Sequence, residues 1–122
     1  MAAPVGPYTP AVRAGPWLVC SGQVGITPGD TPVLAEGLDA QVRQAMANVA
    51  ALLEGQGLGW RDVVKATVFL ADIADYVAFN EVYVEALGDH RPARSVVAVA
   101  GLPLGALVEI EVWAYSGADT GG

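Results

Sequence analysis

Residues 91–114, RPARSVVAVAGLPLGALVEIEVWA, contain two short apolar runs joined by AGLPLGA, whose Gly and Pro mark a turn-rich connection. The runs, about 93–99 and 107–115, read as strands. In a strand successive side chains point to opposite faces. Along the second run this sets Val108, Ile110, Val112 and Ala114 on one side, with Leu107, Glu109, Glu111, Trp113 and Tyr115 on the other. The first side is a core face. The second is too aromatic for a solvent face and too charged for a core, a composition that fits a subunit interface with a polar pocket in it.

Upstream, residues 74–87 read as a helix with Val77, Tyr83, Ala86 and Leu87 among its apolar positions and Gly88 as its stop. DVVKATVFLAD, 62–72, is dense in β-branched residues and reads as a strand. From Asp39 the apolar residues Val42, Ala45, Met46, Val49, Leu52 and Leu53 recur at three- and four-residue steps. Asp39, Gln41, Arg43, Gln44 and Asn48 fill the other faces, so this is an amphipathic helix. GQGLGW, 55–60, closes that helix rather than following a strand and opening one, which makes it a cap and not a phosphate loop. WLVCSGQVG, 17–25, reads as a strand, and ITPGDTPVLAEG, 26–37, as a loop or loose hairpin. MAAPVGPYTP, with three prolines, reads as an irregular arm or edge segment, and SGADTGG, 116–122, as a frayed tail.

These elements predict an α+β fold in which two helices cover one face of a sheet and leave the other to meet a partner. One domain over 1–122 is expected, with 1–7 and 116–122 loosely ordered. Apolar residues make up 53% of the chain and charged residues 16%, against roughly 25% charged in an average domain. Such a chain is expected to hide surface against copies of itself. Thirteen acidic and six basic residues give a net charge of −7, which repels phosphate backbones and argues against a nucleic-acid partner. Cys20 is the sole cysteine and His90 the sole histidine. No intrachain disulfide can form, no usual zinc ligand set exists, and a reducing cytoplasm is the expected setting. The N-terminus does not read as a secretory signal, and no apolar run reaches the roughly 20 residues of a membrane helix.

Arg94 is the sharpest candidate for chemistry, because a guanidinium in an otherwise small, apolar strand must find an anion or remain at the surface. Two readings stand open. One is an ion pair with Glu109 or Glu111 across neighbouring strands. The other is a bidentate grip on a ligand carboxylate, with a glutamate handling protons. Glu109 and Glu111 share a strand face, so paired carboxylate chemistry is geometrically possible, although Glu-x-Glu is more often a solvated face. His90 reads as a cap or loop residue and Cys20 as a small core residue. Tyr8, Ser21 and Asn80 carry polar groups that often only satisfy backbone, and spacing alone does not promote them.

GPYTPAV (6–12), SGQVG (21–25), QVRQAMANVAALLEGQG (41–57), DVVKATVFLAD, FNEVY (79–83), RPARS (91–95) and LVEIE (107–111), in this order, resemble the RidA/YjgF family of reactive-intermediate deaminases over nearly the whole chain. The resemblance implies a subunit of bacillary chorismate-mutase-like fold, one mixed sheet under two helices, assembled as a homotrimer with a central β-barrel and intersubunit clefts. It implies hydrolysis of 2-enamino and 2-imino acids, made by pyridoxal-phosphate enzymes, to 2-keto acids and ammonia, with no cofactor or metal of its own. By position, Arg94 matches the arginine that binds the substrate carboxylate and Glu109 the glutamate that positions water. Tyr8, Ser21, Gly22 and Asn80 match residues lining the cleft. Val96 stands where the family commonly has cysteine, so only its backbone groups can contribute, and Pro10 departs from the glutamine of GPYSQ. Two other functions compete: a non-catalytic binding module for a small carboxylate on the same fold, and endoribonuclease activity, which the acidic charge disfavours.

Overall fold

The computed structural model describes residues 6–117. Its sheet is built on β6 (Val108–Tyr115), whose alternation is as expected: Val108, Ile110, Val112 and Ala114 are fully buried, whereas Trp113 and Tyr115 are exposed. β4 (Val63–Leu70) pairs antiparallel with one edge of β6, and β2 (Trp17–Cys20) and β3 (Gln23–Val24) share the other. β1 (Ala11–Ala14) forms a hairpin with β2, and β5 (Ala93–Ala98) runs parallel to β4 at the far edge. The order is β1-β2-β6-β4-β5, a mixed sheet. The one parallel pair requires a crossover, which α2 (Tyr76–Leu87) supplies.

α1 (Leu38–Glu54) and α2 lie together on one face. Their buried residues, Val42, Val49, Leu53, Phe79 and Leu87 among them, interlock with Leu18, Ala66, Val68, Leu70 and the inward side of β6 in one apolar cluster. Burying side chains of this size removes roughly 1.5–3 kcal/mol of unfavourable hydration each, which is what holds helices to sheet. α1 ends as its glycines predict: Gly57 adopts φ 74°, and the Leu58 amide donates back to the Leu53 carbonyl at 2.9 Å.

The opposite face has no cover among the described residues. It presents Trp17 and Val19 from β2, Thr67 and Phe69 from β4, and Glu109, Glu111, Trp113 and Tyr115 from β6. Trp17 meets Trp113 and Tyr115 edge to face, with centroids 5.9 and 5.0 Å apart.

Four details differ from the sequence expectation. The strand expected over 17–25 breaks at Ser21 and Gly22, because there the chain passes against the Glu109 side chain. β1 was not anticipated, since three of its four side chains are exposed and leave no alternation to read. The segment 73–75 is a 3₁₀ turn capped by Asp72, so α2 begins two residues later than expected. Gln41 and Asn48, assigned to the polar faces of α1, are buried because their amides serve backbone groups. Asn48 Nδ2 donates to the carbonyls of Val24 and Ile26 at 3.1 and 2.8 Å, and Gln41 Oε1 accepts from the Leu107 amide at 2.8 Å. The segment 26–34 is a loose hairpin closed at Ile26 and Leu34. The arm and tail expected to be loose fall mainly on residues 1–5 and 118–122, outside the described residues, but Ser116 at the start of that tail is tied to Arg13 and Pro16 by hydrogen bonds of 2.7–3.0 Å.

Candidate active site

The candidate residues separate into two groups, one on each face of the sheet. Arg94 in β5 registers with Ala66, whose side chain is buried toward the helices, so the guanidinium lies on the helix side. There α2 presents Tyr76, Asn80 and Tyr83 at i, i+4 and i+7, one stripe of the helix. Arg94 Nη1 donates to Asn80 Oδ1 at 2.8 Å and Nη2 to the Tyr76 hydroxyl at 3.0 Å. Its guanidinium carbon sits 4.9 Å from the centroid of the Tyr83 ring, 5.6 Å from that of Tyr76 and 6.0 Å from that of Phe79. Neutral amide, phenol and π faces orient the cation without cancelling its charge. The two bonds use two of five N–H donors. Among the described residues the only ion pairs are those of Arg43 with Asp39 and Glu85, so the cross-strand pairing of Arg94 with Glu109 or Glu111 is absent. Arg94 opens instead on a cleft of about 300 Å³ lined also by Asn80, Tyr83, Val84, Arg91 and Pro92. Val96, two residues on, packs against the core rather than lining that cleft.

The second group lies on the uncovered face. Glu109 registers with Val24 of β3 and Phe69 of β4 and is half-buried. Burial, and then the neighbouring Glu111 carboxylate, push its carboxyl above the usual range. Gly22 lies so close that a β-carbon there would overlap the Glu109 carboxylate. Ser21 donates its hydroxyl to the Thr9 carbonyl at 2.6 Å, and its amide to that of Pro10 at 2.8 Å. These bonds dock the 6–10 segment, with the partly exposed Tyr8, beside the break between β2 and β3. Tyr8, Ser21, Gly22 and Glu109 thus form one group, and Asn80 and Arg94 the other.

Four further residues take structural places. His90 Nε2 donates to the Val63 carbonyl at 2.8 Å. Cys20 is buried in the core, its thiol pushed up to about 11 by burial, which leaves no thiolate for nucleophilic work. Gln41 and Asn48 fasten loops. Sequence reasoning missed Tyr83 and Arg91 at the cleft and Tyr76 beside Arg94; the 76-80-83 spacing on one helix stripe was the available signal. Among the described residues no cluster of three or more His, Cys, Asp or Glu could hold a metal ion, and no helix is long and apolar enough to cross a membrane.

The family model of endoribonuclease L-PSP matches residues 1–116. The chain is 42% identical to a RutC family protein of Pyrococcus horikoshii over 92% of this chain and 89% of that protein. It is 40% identical to the 2-iminobutanoate/2-iminopropanoate deaminase of Capra hircus over 94% and 84%. The crystal structure of RidA from an Antarctic Psychrobacter superposes with a TM-score of 0.90 at 44% identity, covering 93% of this chain and 92% of that one. The chain belongs to the RidA/YjgF family. The mixed sheet under two helices is therefore the RidA fold, and the family resemblance read from GPY, SGQ, PARS and VEIE holds. In this RidA-family chain the residues matched by position fall on opposite sheet faces.

Proposed function

We propose that this chain hydrolyses 2-imino acids, and the enamines that tautomerise to them, to 2-keto acids and ammonia. The observation that carries the reading is the division of the site: an uncancelled guanidinium in a cleft on one face, and a half-buried carboxylate of raised pKa on the other. Neither group is sufficient alone. A homotrimer in which the β5 edge of one copy meets the uncovered face of the next brings Arg94 of one copy to Glu109 of its neighbour. The aromatic character of that face supports such an assembly, and the name of the caprine relative supports the chemistry.

In this reading Arg94 grips the substrate carboxylate through its remaining N–H donors, while Asn80 and Tyr76 fix the plane of the guanidinium. Tyr8, Ser21 and Gly22 line the other wall, and Val96 contributes only its backbone. An imine carbon is already electrophilic, so the demands are orientation and proton handling. Glu109, ionised, accepts a proton from water as its oxygen bonds to the imine carbon. The C=N π pair moves to nitrogen, which takes that proton to give a carbinolamine; Glu109 then accepts the remaining O–H proton and relays it to nitrogen, the C–N bond breaks with its electron pair leaving on nitrogen, and the carbonyl forms as ammonia departs. A carboxylate of raised pKa is the stronger base, which suits it to this task near neutral pH. No protein-bound cofactor enters the balance. The lone buried Cys20 fits a reducing cytoplasm as the setting.

The test couples the protein to a serine dehydratase and follows semicarbazide trapping of the imine. Wild type should reduce trapping; Arg94→Ala and Glu109→Gln should each abolish the effect while the oligomer survives. Random co-assembly of the two variants should restore up to about a quarter of the activity, because in a cyclic ring some interfaces recover both native groups. No trapping difference with wild type points to the binding module; no recovery on co-assembly rejects the shared site.

A further inference from the structure

The chain has six Lys and Arg residues. Arg43 is neutralised by Asp39 and Glu85 at 2.9 and 2.8 Å, and Arg13 is committed to Gln56 and Ser116. Arg91 and Arg94, by contrast, line one cleft together, and among the described residues no carboxylate lines it with them. One guanidinium accounts for one substrate carboxylate. A second cation in the same cleft, on a chain of net charge −7, asks for a second anion.

Arg91 is held in place at the C-terminal end of α2. Its Nη1 donates to the Gly88 and His90 carbonyls at 2.6 and 2.9 Å. A cation on the last carbonyls of a helix is a familiar capping arrangement and would suffice as a structural role. Both bonds, however, leave from one nitrogen. The Nε and Nη2 groups retain three N–H donors.

Tyr83 supplies the independent observation. It is 3% exposed and lines the same cleft, and its hydroxyl is buried without a hydrogen-bond partner. A buried polar atom without a partner is costly, and a ligand entering the cleft that the Tyr83 side chain lines can supply one as the side chain shifts. Burial pushes the phenol above its ordinary value, while the Arg94 and Arg91 charges and the approach of an Arg94 N–H, which falls short of hydrogen-bond geometry, pull the other way. The hydroxyl therefore stays protonated, a donor lying within the field of both guanidinium groups.

We infer that this cleft selects substrates with two anionic groups, the imines of acidic amino acids, with the 1-carboxylate on Arg94 and the side-chain carboxylate on Arg91 and the Tyr83 hydroxyl. The 2-keto dicarboxylates formed by hydrolysis fit the same contacts. The reaction assigned to these ligands rests on the deaminase reading; their binding does not. Arg91 and Tyr83 are specificity residues and take no part in proton transfer.

Calorimetric titration of the assembled full-length protein with 2-oxoglutarate and with 2-oxobutyrate tests the inference. An added contact to an exposed cation is worth about two- to fivefold in affinity, so 2-oxoglutarate should bind tighter by about that ratio. Arg91→Gln, an exposed substitution, and Tyr83→Phe, which removes only an unpartnered hydroxyl, should each shrink the ratio toward one. Equal affinities in wild type, or a ratio that neither variant moves, overturns the inference. Imines generated from glutamate and from 2-aminobutyrate by an amino-acid oxidase separate it from the deaminase reading. A dicarboxylate preference in binding with no hydrolysis of either imine leaves this inference standing and removes the other. Hydrolysis without preference for the acidic imine, alongside equal affinities, does the reverse.

Discussion

Replacing Gly22 by alanine should remove activity and leave the fold intact. The added β-carbon would overlap the carboxylate oxygen of Glu109 and lie 2.8 Å from its Cδ and 2.9 Å from its Cγ. Carbon atoms rest about 3.5–4.0 Å apart, so the carboxyl group must retreat by roughly 1 Å. Gly22 is not among the glycines with positive φ, so alanine brings no backbone strain. The obstructing atoms belong to the end of a flexible side chain. The stability change should therefore stay below about 1 kcal/mol, whereas a 1 Å misplacement of a catalytic group can cost about 10²-fold in rate. Gly25→Ala is the control with the opposite signature. There the β-carbon would lie 2.5 Å from the Gln41 carbonyl oxygen and 2.7 Å from its Cα, backbone atoms of α1 that cannot swing aside. Forcing the helix off the sheet should cost about 1–3 kcal/mol or more. Thermal unfolding and the coupled imine-trapping assay measure the two effects. Displacement of the base lowers kcat, whereas simple blocking of the ligand raises KM. If Gly22→Ala retains most of its kcat, the Glu109 carboxylate is not the group that handles the proton.

Three further outcomes follow from the same structure. Because Glu109 must be ionised to accept a proton and its pKa is raised by burial and by Glu111, the acid limb of the kcat/KM profile should lie above the ordinary carboxylate value of about 4.3, and Glu111→Gln should move it to lower pH; a limb that Glu111→Gln leaves in place rejects the coupling. A folded-state pKa above the unfolded one adds stability below the unfolded pKa, and that contribution is lost as pH rises through the folded pKa. Above that range Glu109→Gln should therefore unfold no earlier than wild type, as scanning calorimetry can check. Asn48→Ala strips the amide donor from the Val24 and Ile26 carbonyls; Val24 still accepts from the Ile26 amide, so the one acceptor left unpaired should cost about 1–3 kcal/mol and lower Tm by roughly 5–10 °C, and an unchanged Tm would show that water replaces the amide at no cost.

The elements that bury one clean face were legible from residue order. β6 announced itself by strict alternation, and α1 by apolar steps of three and four. What escaped was set by contacts distant in sequence. Gln41 and Asn48 look like surface amides until β3 and the start of β6 present backbone groups that need them. The break at Ser21 and Gly22 depends on a glutamate almost ninety positions away. α2 hid its functional stripe because it is apolar nearly all round: Val77 and Val84 are exposed, so periodicity could not say which side faced Arg94. The resemblance named Arg94, Glu109, Asn80, Tyr8, Ser21 and Gly22 as one set, and nothing in their order reveals that a sheet divides them.

That division follows from parity. Arg94 registers with Ala66, and Ala66 with Val112, all directed toward the helices; Glu111 and Glu109 register with Thr67 and Phe69, directed away. Side chains of opposite parity stand on opposite sides of the sheet, and no rotamer change carries one through it. A single copy can present either group to a ligand but not both to the same one. The uncovered face also carries Trp17, Trp113 and Tyr115 beside the two glutamates, so a second copy seated there would strip water from Glu109 as it buries the rings. Burial is already the larger cause of the raised Glu109 pKa. In the proposed trimer the contact that brings the neighbour's arginine to the cleft would therefore act on the base twice, desolvation raising the Glu109 pKa and the incoming guanidinium lowering it, so that assembly sets the strength of the base.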